Sequence, residues 1–119
     1  MKRHEQFMKD KMKEQPSEII QQVEVLCSLD AMKLQLAEES YGDSWKQRGG
    51  VGAFMMLARK WDRLEKQVNE HNYDVFASAL SDERDEGIID DIRDLRRYLF
   101  LVESEIRLQK NEHPIYGKK

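Results

Sequence analysis

Ile88, Ile92, Leu95, Leu99, Val102 and Ile106 recur at spacings of 4, 3, 4, 3 and 4. Such a run places one apolar residue on the same side of every helical turn and is the seam of a helical bundle. It therefore predicts a helix from Ile88 to beyond Ile106 that must bury this side against another element. Phe54, Leu57, Ala58, Trp61, Leu64 and Val68 repeat at similar spacing and predict a second amphipathic helix over 53–70. No strand-like alternation or internal repeat accompanies them, so the chain reads as an all-α bundle.

Pro16-Ser17-Glu18 supplies the chemistry of a helix start and predicts a long helix over about 17–40. That helix carries two apolar stripes. Ile19, Val23, Leu26, Cys27, Leu34, Ala37 and Tyr41 lie on one side, and Val25, Leu29, Met32 and Leu36 on the other. A helix apolar on two faces is central or lies at a subunit contact, which predicts a long central helix and a homodimer or higher oligomer using the second stripe. His71-Asn72 ends the 53–70 helix, a short helix follows at about 74–80, and Ser81-Asp82 offers a cap for the last one. Residues 1–15, with Phe7, Met8 and Met12, read as a weakly docked helix, and 111–119 as a loose tail, all within one domain of 119 residues.

Composition narrows the function classes. A formal net charge of −3 argues against a broad duplex nucleic-acid surface, so any basic site is local. Cys27, the single cysteine, leaves no intrachain disulfide and fits a reducing compartment. No apolar run reaches the roughly 18 residues that span a bilayer, and MKRHEQFMKDKMKEQ has no apolar centre of the signal-peptide kind. A cytoplasmic protein without a membrane partner is expected.

The acids of DERDEGIIDDIRD, residues 82–94, fit a solvated helix start beside the positive end of the dipole. At roughly 100° per residue they separate. Asp91 and Asp94 fall at the edge of the apolar seam with Tyr98, whereas Glu86 and Asp90 turn farther toward solvent. Two helical carboxylates three apart can share one hard divalent cation, and Mg²⁺ takes such oxygens together with water and phosphates. Asp30 interrupts an apolar stripe, which calls for an ion pair or a metal or phosphate. Glu38 lies at the edge of that face, and Glu39 nearer the second stripe. Met56, Arg59, Lys60 and Arg63 lie on the 53–70 helix away from its apolar stripe, with Lys46 and Arg48 in the preceding segment. They read either as surface charges or as a set of cations for a metal-bound triphosphate.

The segment DDIRDLRRYL, residues 90–99, resembles the second acidic motif of the MazG-like all-α nucleoside triphosphate pyrophosphohydrolases. On that register Asp91 and Asp94 take metal-ligand positions. YGDSW at 41–45, then Lys60 and Arg63 as K-x-x-R, then Asp90, Asp94, Leu95 and Tyr98 as D-x-x-x-D-L-x-x-Y, is similar to the small phage and bacterial proteins of a nucleotide-modification-associated family. The resemblance covers about residues 20–105. It implies a Mg²⁺ ion on Glu38, Asp91 and Asp94, and a water oriented by Glu39 or Asp90. It also implies a nucleoside triphosphate held by Lys60, Arg63, Tyr41, Trp45, Lys46 and Tyr98, the two aromatics at 41 and 45 packing on a base. In those enzymes a third glutamate follows the first acidic pair at the next turn. Here Glu38-Glu39 is followed by Tyr41-Gly42-Asp43, so that ligand is missing or replaced by Asp43, and a non-catalytic module binding a nucleotide or a protein partner is the second expectation. Tyr41 and Trp45 also suit a purely structural plug at the bundle end, with Gly49, Gly50 and Gly52 in the turn.

Overall fold

The computed structural model describes residues 15–84 and 87–111. They form four α-helices: α1 Glu18–Tyr41, α2 Gly49–Asn69, α3 Val75–Leu80 and α4 Ile88–Gln109, with a 3-10 turn at Ser44–Lys46. Among the described residues there is no strand, and no helix is long and apolar enough to cross a membrane. The expected N-terminal helix with Phe7, Met8 and Met12, the tail beyond residue 111 and Glu86 lie outside them. The chain divides after Gly42 into two compact units.

The first unit is built on α1. Ser17 caps it, accepting the Ile20 N–H at 3.4 Å, and the Gln21 amide reaches back to the Pro16 carbonyl at 2.8 Å. These contacts satisfy donors and acceptors that every helix start leaves open. At the other end the Gly42 N–H donates to the Glu38 carbonyl. Val25, Leu29, Met32 and Leu36 are exposed along one side, Ile19, Val23 and Leu26 along the other, whereas Asp30 is buried and has a partner.

In the second unit α2 packs along α4, the 3-10 turn rests on α2, and α3 touches both helices. The glycine run that reads as a loop is the start of α2. Gly49, at φ +74°, takes the left-handed conformation that side chains resist, and the helix begins there. A Cβ on Gly52 would come within 2.6 Å of the Arg48 Cβ, so this first turn closes only over a residue without a side chain. Asp74 caps α3 by accepting the Phe76 and Ala77 N–H groups, both at 3.0 Å. Asp82 serves α4 as expected, but from six residues upstream, accepting the Ile88 N–H. Ser81 does not join it, because its hydroxyl goes to the Ala77 carbonyl and to His71.

The faces that meet coincide only in part with those the apolar periodicity marks. Ile88 is buried as expected, and Leu95, Val102 and Leu64 are half-buried, but Ile92, Leu99, Phe54 and Trp61 are exposed, Phe54 at 64% and Trp61 at 53%. The covered side of α4 runs through Ile88, Asp91, Leu95, Tyr98 and Val102, and that of α2 through Ala53, Met56, Leu57, Lys60 and Leu64. At about 100° per residue the α4 contact is turned roughly 40° from its apolar seam. This contact sets Lys60 and Arg63 of α2 against the aspartates of α4.

Candidate functional site

The polar contact between α2 and α4 gathers the charged residues singled out above. Asp91, in the first turn of α4, is only 2% exposed. Its Oδ1 faces Arg63 Nη2 at 3.3 Å and its Oδ2 faces Arg84 Nη2 at 3.5 Å, yet Oδ2 accepts no hydrogen bond. One turn on, Asp94 Oδ2 lies 3.6 Å from Lys60 Nζ, and its Oδ1 accepts a bond from Arg93 at 3.4 Å. Lys60 also sits 5.8 Å from the centre of the Tyr98 ring, within cation–π reach. Asp90, expected farther toward solvent, is half-buried and holds Arg93 at 2.8 Å.

Lys60 and Met56, expected away from the packed side, are half-buried on it. Beside them a cavity of about 320 Å³ is lined by Met56, Arg59, Lys60, Asp62 and Arg63. Three of its five lining residues are cations, which makes it a local site for an anion of the kind the net charge leaves room for.

Arg84 and Arg93 are the residues the sequence reading missed. Arg84 grips Asp82 with Nε to Oδ1 at 2.9 Å and Nη2 to Oδ2 at 2.8 Å, and its backbone N–H donates to Oδ1 at 3.1 Å. These bonds, with the Ile88 N–H, hold the Asp82 carboxyl well below the usual carboxylate range, and Asp82 in turn holds the Arg84 guanidinium above its ordinary value. The available signal was the Asp-x-Arg spacing after α3, which permits a side-chain fork to close over a turn. Arg93 had a plainer one, lying three residues after Asp90 on one helix face.

Other expected site residues are placed elsewhere. Trp45 and Lys46 occupy the 3-10 turn, and Lys46 donates to Glu105 at 2.8 Å. That bond raises the Lys46 ammonium above its ordinary value, and it lowers the Glu105 carboxyl, helped by the Gln109 amide. Glu105 lies eleven residues beyond Asp94 on α4, or roughly 16 Å at about 1.5 Å per residue. Lys46 is thus not gathered with Lys60 and Arg63. Trp45 is half-buried and lines an apolar pocket of about 270 Å³ with Ala53, Leu57, Val102 and Ile106. Arg48 precedes α2 and is exposed, as is Asp43. Glu38, Glu39 and Tyr41 form the exposed last turn of α1, in the first unit.

Among the described residues no three His, Cys, Asp or Glu side chains come together as a metal-binding group. The pair that does share one face, Asp91 and Asp94, offers the hard oxygen donors that Mg²⁺ prefers. A buried carboxylate oxygen without a hydrogen bond is an exception in folded proteins and calls for a cation or a donor. Asp91 Oδ2 meets that description, and Arg84 Nη2 at 3.5 Å is the cation that faces it.

Compared with protein-family models, with curated proteins and with solved structures, the chain matches none. Its resemblance to the pyrophosphohydrolases thus rests on the quoted residues alone.

Proposed function

We propose that the protein binds nucleoside triphosphates with Mg²⁺ at Asp91 and Asp94 and acts as a pyrophosphohydrolase of the MazG-like kind. The observation that carries this reading is the meeting of a buried, incompletely bonded Asp91 with Lys60, Arg63 and Asp94 beside a basic cavity. Bound Mg²⁺ supplies charge neutralisation at the phosphates. The chain's own part is distinct. Lys60 and Arg63 take phosphate oxygens as charge develops there, and Asp90 orients a water toward the α phosphorus. Attack forms a new P–O bond, the bond to the bridging oxygen of the β phosphate breaks, and monophosphate and pyrophosphate leave. Trp45 offers a surface for a base, and the exposed Cys27 thiol fits a cytoplasmic setting.

A second reading, a phage-type module that binds a nucleotide or a protein partner without turnover, is favoured by one observation. Among the described residues no third acid joins Asp91 and Asp94. A panel of ribo- and deoxynucleoside triphosphates incubated with Mg²⁺ and followed by phosphorus NMR separates the two. Hydrolysis gives monophosphate and pyrophosphate in equal amounts; saturable binding with no turnover selects the nucleotide-binding module; neither outcome on any nucleotide removes both nucleotide readings and leaves the module that binds a protein partner.

The same reading includes a homo-oligomer. Val25, Leu29, Met32 and Leu36 on α1, and Phe54, Trp61 and Leu99 elsewhere, remain exposed in a single chain, and apolar surface on this scale marks association sites. Light scattering at micromolar concentration is expected to give at least twice the chain mass. A strictly monomeric mass contradicts it.

A further inference from the structure

We propose that the turn between α2 and α3 carries a second site, distinct from the aspartates of α4, that binds a primary ammonium group such as the end of a small diamine. A cavity of about 230 Å³ opens there, lined by His71, Ser78 and Ser81 with Glu70, Glu83 and Arg84. Asn72 and Tyr73 take positive φ, +56° and +63°, so the chain reverses directly after His71 and its ring meets the end of α3. Ser81 Oγ lies 2.8 Å from His71 Nε2 and donates to the Ala77 carbonyl at 2.9 Å. A hydroxyl has one hydrogen to give. With that hydrogen on Ala77, the short contact to His71 places the ring hydrogen on Nε2, and in the uncharged ring Nδ1 keeps a bare lone pair. Nδ1 is buried and has no hydrogen-bond partner among the described residues. Ser78 repeats the pattern, being 3% exposed with an Oγ that also has no partner there. Two such acceptors at one cavity are an exception in folded proteins and call for a donor.

Charge selects the class of ligand. Arg84 is not free for an anion, because its guanidinium closes on Asp82 at 2.8 and 2.9 Å. Glu70 and Glu83, in contrast, are exposed and have no ion pair among the described residues. The cavity thus presents two uncompensated carboxylates at its rim and two acceptors inside, which is the complement of a cation bearing N–H donors. A metal ion fits less well, since no three His, Cys, Asp or Glu side chains come together among the described residues. An ammonium group has three donors. It gives them to His71 Nδ1, to Ser78 Oγ and to a rim carboxylate, and its charge lies beside the two glutamates.

Calorimetric titration of the full chain tests this with two probes, 1,4-diaminobutane and its hexamethyl bis-quaternary analogue, which has the same charge and no N–H donor. The diamine is expected to bind saturably and the analogue at least tenfold more weakly. Ser78→Ala and His71→Gln, the second keeping a donor for Ser81 while removing Nδ1, are each expected to lower diamine affinity by about tenfold. Glu83→Gln is expected to lower it by about threefold. Circular dichroism identifies any variant that fails to fold, and Glu83→Gln, at an exposed position, then decides. Absence of saturable diamine binding by the unaltered chain overturns the proposal. Equal affinity for the two probes, or an unchanged affinity in the folded variants, leaves only unspecific attraction to an acidic surface and overturns it as well. The nucleotide reading does not depend on either result.

Discussion

Asp91→Asn is expected to weaken Mn²⁺ and triphosphate binding together by more than tenfold and to lower stability by about 1–2 kcal/mol. The acid run alone invites the opposite sign for stability, since close carboxylates repel and their removal relieves strain. The packing of α2 on α4 reverses it. Asp91 faces Arg63 and Arg84 rather than another acid, so an amide leaves Arg63 without its carboxylate and Arg84 with Asp82 alone. Removing one member of a fully buried pair costs roughly 3–5 kcal/mol, and the partial exposure of both arginines reduces that figure. Urea unfolding gives the stability, and titration with Mn²⁺ and a triphosphate gives the affinity. An unchanged affinity would return Asp91 to a purely structural role.

Ile88→Ala is expected to cost about 2–4 kcal/mol. Ile88 is the largest fully buried apolar side chain among the described residues, at 2% exposure. It is also the first residue of α4, held through its N–H by Asp82. Truncation therefore opens a cavity at the point where α4 begins and where Asp91 is positioned one turn later. Leu99→Ala, at an exposed position of the same apolar seam, is expected to cost less than about 1 kcal/mol in a single chain. Chemical denaturation of both variants checks the order. A larger loss for Leu99→Ala would show that the seam is covered in solution.

These two positions also show how far the sequence was legible. The long helices could be read closely, because capping at Ser17 and Asp82 and apolar spacing are local signals. So could the pairing of Asp91 with Asp94, which needs only the helical repeat. The side of α4 that packs could not be read in full, because it depends on which side of α2 meets it, and Lys60 and Arg63, which face the aspartates there, are about thirty positions away. Lys46 was misplaced for the same reason: Glu105, which holds it at 2.8 Å, is 59 residues distant. Arg84 escaped notice because its role exists only once the turn after α3 has folded its side chain over Asp82. The glycines at 49, 50 and 52 were read as loop because their composition does not reveal that a positive φ at Gly49 and a close approach at Gly52 let a helix begin there.

The central claim is that Asp91 and Asp94 together hold a divalent cation that carries a triphosphate to Lys60 and Arg63. The most direct measurement is anomalous diffraction from a crystal grown with Mn²⁺ and a non-hydrolysable triphosphate. The expected result is one Mn²⁺ peak within about 2.5 Å of oxygens from both aspartates, with Lys60 and Arg63 on phosphate oxygens. A structure in which the triphosphate binds away from these residues, with Asp91 still facing Arg63 and Arg84 and no peak beside it, would contradict the claim.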